Sequence, residues 1–279
     1  MSKTIIIIGA GLAGLSAALQ AAENGCNVKL VSSLPSERAQ SVMAEGGINA
    51  ALNTKDENDS PEEHFTDTIK AACGLADPNA VWGMTQAASV LVYWMRILGV
   101  KFNMSGYDDV DLRNFGGQKK KRTAFAQSDT GKQIMTAMID AVRRKEASGM
   151  VERFSHHSFL TLRLCGNICC GCVIRDEYSQ ETVELPGDAV IVATGGMHGL
   201  FGNTTGSLSN TGEVTAELFR LGVPLANGEM IQYHPTTVKC GGKRILISEA
   251  ARGEGGRLFA MKDGKQWYFM RKNTRSLEI

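Results

Sequence analysis

The run Ile5-Ile6-Ile7-Ile8, followed at once by Gly9-Ala10-Gly11-Leu12-Ala13-Gly14, constrains this chain more than any other feature. Consecutive β-branched residues leave no polar face, so they read as a parallel strand buried on both sides. The glycines that follow have separate tasks. Gly9 permits the tight turn, Gly11 lets backbone approach a pyrophosphate, and Gly14 allows close helix–strand packing. The pattern predicts a helix over Ala13–Asn24, stopped by Gly25, and a second strand over Asn27–Ser33. The N-terminus of that helix offers N–H groups and a positive dipole end to phosphate. A lone Gly-x-Gly-x-x-Gly is weak evidence, but between a strand and a helix it marks a dinucleotide cradle.

The second strand ends in Ser32-Ser33 rather than Asp or Glu, which removes the usual acidic ribose contact and weakens a plain NAD reading. A second strand end, Ala193-Thr194-Gly195-Gly196, follows the apolar strand Asp188–Val192 and has the small residues of backbone passing close to a ligand. Two such ends so far apart in sequence suit a large flavin-adenine domain. The expected class is α/β, a Rossmann-like FAD-binding domain of parallel sheet and helices. Helices are also predicted over Asn79–Gly99 and Lys132–Ala147, where apolar residues recur at helical spacing.

Thirty basic and 29 acidic residues leave a net charge of +1, which gives no electrostatic reason to expect nucleic acid as a partner. Seven cysteines, an odd number without regular spacing, read as reduced thiols rather than a disulfide framework. Cys165, Cys169, Cys170 and Cys172 sit in a segment, Leu160–Ile174, that reads better as a hairpin of short strands than as a metal site. The apolar N-terminus is explained better by a nucleotide-binding strand than by a signal peptide. No apolar run is long enough to span a bilayer. His64, His156 and His157 read as structural, and His198 as a weak candidate beside the cofactor. Lys119-Lys-Lys-Arg122 reads as a solvated loop start, and Met43, Trp94, Ile134 and Met135 as core.

A series of motifs carries the chain's chemistry: Ala44-Glu-Gly-Gly-Ile-Asn-Ala-Ala51, Asp59-Ser-Pro-Glu-Glu-His-Phe65, Asn114-Phe-Gly-Gly-Gln118, Arg122-Thr123, Asn210-Thr-Gly212, Gln232-Tyr-His-Pro-Thr236 and Ser248-Glu-Ala-Ala-Arg-Gly-Glu-Gly-Gly256. In this order they resemble the flavoprotein subunit of the succinate dehydrogenase and fumarate reductase family. The resemblance runs from Ile5 to about Met270. It implies a discontinuous FAD-binding domain, here residues 1–235, interrupted by a mobile α+β capping domain that begins at 236–279. It implies FAD as cofactor, held by Gly9, Ala10, Gly11, Leu12, Ala13, Gly14, Ser32, Ser33, Arg38, Ser41, Glu45, Gly46, Gly47, Ala193, Thr194, Gly195, Gly196 and Glu213.

The implied chemistry is hydride transfer between flavin N5 and a dicarboxylate, fumarate or succinate. By resemblance, His234 and Ser248 hydrogen-bond the substrate carboxylates, and Phe115 presses on the substrate face. Most relatives carry Thr where this chain has Ser248, and Ser keeps the hydroxyl. Glu249 and Arg252 stand three apart, on one side of a turn if helical, and the family uses such a pair to relay protons to a catalytic arginine. The family also implies an iron–sulfur partner subunit, often a membrane anchor, and a cytoplasmic site peripheral to the membrane. L-Aspartate oxidase, a relative without a covalent flavin link, is the alternative enzyme. A non-catalytic FAD-binding remnant is the alternative of a different class.

Two departures matter. Gln40 stands where many relatives carry the His that bonds the flavin covalently, so the expectation is non-covalent FAD and a bias towards fumarate reduction. Relatives also run about twice this length, beyond one ordinary domain. Their catalytic arginine lies in a Pro-Arg-Asp segment soon after the counterpart of Trp267-Tyr-Phe-Met270. One coding of the relatives' Tyr-Pro-Glu-Leu-Gly-Asn, read one base later, spells Thr-Arg-Ser-Leu-Glu-Ile, which is residues 274–279. The expectation is therefore a truncated chain ending in a frameshift.

Overall fold

A computed structural model describes residues 2–115, 118–234, 236–241, 243–248, 250–253 and 255–269. In chain order the elements are β1 (Thr4–Ile8), α1 (Leu12–Glu23), β2 (Asn27–Ser32), β3 (Ile48–Asn49), α2 (Pro61–Ala71), α3 (Pro78–Leu98), β4 (Leu112–Arg113), β5 (Thr123–Ala124), α4 (Thr130–Ala147), β6 (Val151–Ser155), β7 (His157–Cys165), β8 (Ile168–Asp176), β9 (Thr182–Pro186), β10 (Ala189–Val192), α5 (Glu213–Arg220), β11 (Thr237–Cys240), β12 (Lys243–Leu246), α6 (Ala250–Gly253), β13 (Ala260–Lys262) and β14 (Lys265–Trp267). They fall into two compact units. The first comprises Met1–Ala44, Leu98–Val100 and Gly131–Leu246, and the second Glu45–Ile97, Lys101–Thr130 and Ile247–Ile279.

The first unit is built on a four-stranded parallel sheet in the order β10-β1-β2-β6. Ile8 pairs with Val31 on one side and Val192 on the other, so β1 is the interior strand its sequence predicts. Leu15, Ala18, Leu19 and Ala22 form the buried stripe of α1. An antiparallel sheet, β7-β8-β9, contributes Cys172, Ile174 and Leu185 to a core shared with Ile6, Ile8 and Val31. Ile134, Met135, Met138 and Val142 of α4 are buried, as expected for the first two. Met43 is instead 66% exposed, because it ends a single 3₁₀ turn with no apolar face to continue. Trp94 is half-buried.

The expected hairpin is present, but its strands are nine residues each. Arg163 pairs with Gly171 while Leu164 pairs with Cys169, so Cys170 is the extra residue of a bulge. That turns its side chain towards Cys165, and the two are joined as a disulfide. The expectation of reduced thiols fails for this pair, because bulge geometry is invisible in cysteine spacing. Burial pushes the Cys172 thiol up to about 11, which makes it a core residue rather than a nucleophile.

In the second unit, Ser60 caps α2 by accepting the Glu63 N–H at 3.2 Å, with Pro61 in the first turn. Val81, Thr85, Ala88, Val92 and Met95 form the buried stripe of α3. The basic run 119–122 is not wholly solvated. Arg122 is 3% exposed and donates to Asp59 at 3.1 and 2.7 Å, and it also pairs with Asp67 at 3.0 Å. A bidentate carboxylate compensates burial of the guanidinium, and a count of basic residues cannot foresee that partner.

His64, 5% exposed, lies beside this cluster. Burial and the neighbouring Arg122 charge hold its pKa below the ordinary value, against opposing pulls from Asp59 and Asp67. Its contribution is intact above the unfolded value of about 6.5 and is lost as pH falls through the lower folded value. Denaturation midpoints should therefore fall between pH 7.5 and 5 more steeply in the wild type than in His64→Phe. Equal slopes would remove His64 from the account.

Candidate functional site

The carboxyl ends of β1, β2 and β10 open on one cavity of about 320 Å³, within the first unit. Its walls come from Gly9, Ala10, Gly11, Leu12 and Ala13 after β1, Ser32 at the end of β2 and Ser33 beyond it, and Ala193, Thr194, Gly195 and Gly196 after β10. Arg38, Ser41 and Glu213 line it as well. Ligands of open α/β sheets bind at such carboxyl ends.

The glycines separate by cause. At Gly9, φ is +110°, and an added Cβ would lie 2.3 Å from the Ala193 carbonyl oxygen. At Gly14 it would lie 1.8 Å from the Gly9 oxygen. Packing within the protein therefore demands both. Gly14 does not line the cavity; it lets α1 sit close enough to form it. At Gly11 a Cβ would make ordinary contacts alone, with Ser41 Oγ at 3.4 Å and Ala39 Cβ at 3.8 Å. The protein leaves that space open, as close approach by a ligand requires.

The loop after β2 is tied down at several points. Ser41 Oγ accepts the Leu12 N–H at 3.2 Å. Arg153 donates to Ser36 Oγ at 3.0 Å and to Glu146 at 2.6 Å, and Arg143 pairs with Glu37 at 2.5 Å. Ser32 Oγ is buried and has no partner among the described residues. An orphan hydroxyl in a cavity wall is a group waiting for a ligand's hydrogen bond.

Part of the wall carries no site reading in the sequence: His157, Ser158 and Phe159 from the start of β7, and Ser207 and Ser209. Asn210 and Thr211, of the motif Asn210-Thr-Gly212, line the cavity too. His157 sits in the wall with Nδ1 2.8 Å from the Ser155 carbonyl and Nε2 3.6 Å from Asp176. Parallel pairing of β6 with β2 brings it there, and only that register would have revealed it. His156 stays outside, with its ring against Tyr178.

A second cavity, of about 400 Å³, adjoins in the same unit. His198, Tyr233, His234, Thr237 and Arg244 line it, and Gln40 lines both cavities. His234 Nδ1 lies 2.9 Å from the Thr236 carbonyl oxygen, and Arg244 donates to Thr237 Oγ1 at 3.1 Å.

Other predicted residues belong to the second unit. Glu45 and Gly46 accept from Arg113 through their carbonyl oxygens, at 3.2 and 2.5 Å. A Cβ on Gly46 would meet the Phe115 ring at 2.6 Å, and one on Gly47 the Ala124 oxygen at 2.5 Å. Ser248 Oγ accepts the Ala250 N–H at 3.3 Å, just ahead of Arg252 in α6. Glu249 and Pro235 lie outside the described residues. Among the described residues no group of three or more His, Cys, Asp or Glu could hold a metal ion, and no helix is long and apolar enough to cross a membrane.

Comparison with known proteins accounts for the cavity's glycine cradle, because the FAD binding domain pattern matches residues 4–276. The chain belongs to the FAD-binding domain family. It is 43% identical over 269 residues to the succinate dehydrogenase flavoprotein subunit of Bacillus subtilis (strain 168), covering 96% of this chain and 46% of that one. It is 32% identical to L-aspartate oxidase 1 of Ralstonia nicotianae, covering 96% of this chain and 50% of that one. A structure of E. coli quinol fumarate reductase superposes with a TM-score of 0.86 at 28% identity, covering 95% of this chain and 44% of that one. The chain thus spans about half the length of the relatives it matches. The α/β class and the succinate dehydrogenase and fumarate reductase resemblance both stand.

Because Gly14 has no room for a methyl group, Gly14→Ala should destabilise the fold by about 1–3 kcal/mol and lower flavin content. Gly11→Ala should keep the melting temperature and lower flavin content alone. Thermal melts alongside flavin absorbance at saturating FAD check both, and a Gly11→Ala protein that loads FAD normally would contradict the assignment of open space to a ligand.

Proposed function

We propose that this chain is the FAD-holding part of a flavoprotein that interconverts fumarate and succinate, with fumarate reduction favoured. The observation that carries the reading is the cradle itself: a ligand-sized opening at Gly11 and the orphan Ser32 hydroxyl, next to a second cavity that contains His234. The whole predicted set would hold the cofactor. Gly9, Ala10, Gly11, Leu12, Ala13 and Gly14 form the pyrophosphate turn, and Ser32, Ser33 and Glu213 supply polar contacts. Arg38, Ser41, Ala193, Thr194, Gly195 and Gly196 complete the wall, and Glu45, Gly46 and Gly47 add backbone.

FAD, when bound, supplies two-electron chemistry. The chain's own residues bind and orient the dicarboxylate. His234 and Ser248 would donate to its carboxylates, and Phe115 would fix the face of the carbon skeleton. Glu249 and Arg252 would relay a proton to the catalytic arginine that the resemblance places in a Pro-Arg-Asp segment after the counterpart of Met270. Residues 236–279 would begin the cap that excludes water. An iron–sulfur subunit, and through it a membrane anchor on the cytoplasmic face, would deliver electrons. L-Aspartate oxidase activity is the second reading, favoured by the similarity to that enzyme. A non-catalytic FAD-binding remnant is the third.

Gln40 lacks the ring nitrogen needed to bond the flavin. Acid precipitation of FAD-loaded protein should release all the yellow colour to the supernatant, and colour retained in the pellet would overturn the non-covalent assignment. For activity, FAD-loaded protein should oxidise a reduced dye in the presence of fumarate and show no oxidase activity with aspartate. Tight FAD binding without either activity would select the remnant.

A further inference from the structure

The motif Asn114-Phe-Gly-Gly-Gln118 contributes Phe115 to the proposed function and leaves Gln118 unused. Within the second unit, Gln118 is the hub of a hydrogen-bond relay. Its side-chain Oε1 accepts the Phe115 N–H at 2.9 Å, and its own N–H donates to the Phe115 carbonyl oxygen at 3.1 Å. The two residues are thus hydrogen-bonded to each other in both directions. Thr123 Oγ1 shares its one hydrogen between Asn49 Oδ1 at 2.7 Å and the same Gln118 oxygen at 3.2 Å. Thr123 is fully buried on β5, and Asn49 is its cross-strand partner on β3. The relay therefore starts from paired strands and ends at the Phe115 backbone.

The Phe115 ring is held from its other side. It rests on Gly46, where a Cβ would intrude to 2.6 Å. Gly46 is itself held by Arg113, whose guanidinium stacks on Phe125 at 4.3 Å. Backbone and ring of Phe115 are thus fixed by different elements of one unit. Two glycines follow Phe115 in the sequence, and glycine multiplies the backbone states available to a chain.

We propose that Gln118, anchored by Thr123, is a positioning residue that sets the Phe115 ring for the dicarboxylate. Gln118 need not touch substrate. It acts by removing loop conformations in which the ring points away, and such misplacement lowers productive binding strongly. The inference rests on the reading of Phe115 as the residue that faces substrate.

The test uses the full chain loaded with FAD and labelled with fluorophenylalanine, the Phe115 resonance being assigned by its loss in Phe115→Leu. Gln118→Ala and Thr123→Val should each shift or broaden that resonance. Thr123→Ser, which keeps the hydroxyl, should leave it unchanged. Fumarate affinity, read from perturbation of the flavin spectrum, should weaken about five- to tenfold in the first two variants and recover in Thr123→Ser. An unchanged resonance in folded Gln118→Ala overturns the proposal, as does Thr123→Ser behaving like Thr123→Val. If wild-type protein ignores fumarate while the resonance still shifts in the variants, the substrate reading falls and the positional tie stands.

Discussion

Parallel pairing of β1 with both β2 and β10 is the constraint on which the first unit depends. Parallel strands point their carboxyl ends the same way, so three loops emerge side by side. Each then bends away using residues that occupy little space: Gly9 after β1, Ser32-Ser33 at the end of β2, and Ala193 to Gly196 after β10. The cavity is what remains between them. Closure also needs α1 to lie hard against the turn, which the missing Cβ at Gly14 allows. A single methyl group there would push the helix away and open the cradle, so sheet pairing and cofactor geometry are one problem rather than two.

That dependence explains what could be read from the sequence. Local signals were legible: the isoleucine run, the glycine spacing and the apolar periodicity of α3 and α4 place elements to within a residue or two. Features created by distant pairing were not. His157 reaches the cavity only because β6 adds to the edge of β2, more than one hundred residues earlier in the chain. The Cys165–Cys170 bond arises from a bulge, and a one-residue change in register would separate the two sulfurs. Arg122 hides in a run of lysines and is set apart by Asp59, in the loop before α2, and by Asp67 of α2. In each case the missing information was a partner, not a propensity.

The second unit shows the same logic with charge in place of backbone. A buried guanidinium is costly unless its donors are met, and Asp59 with Asp67 meets them. Arg122 is followed directly by Thr123, so the ion pair at the start of β5 and the hydroxyl relay within it share one stretch of backbone. Lys120, paired with Glu63, and Lys121, whose N–H donates to Glu57 at 2.7 Å, tie the preceding loop as well. The motif Arg122-Thr123 is thereby explained as architecture, one residue holding the strand and the next holding the loop that carries Phe115.

Gln40 bears on the proposed reaction direction. It lines both the cradle cavity and the neighbouring one that contains His234. A covalent tether at this position would withdraw electron density from the flavin and favour it as an acceptor. On the proposed reading the Gln40 amide forms no such bond, which would leave the flavin a better donor and fit the proposed bias towards fumarate reduction. On the proposed reading one side chain would bear on both how the cofactor is retained and which way electrons run. Retention would then rest on the cradle, and the orphan Ser32 hydroxyl and the open approach at Gly11 would matter more than in a chain whose flavin is chemically fixed.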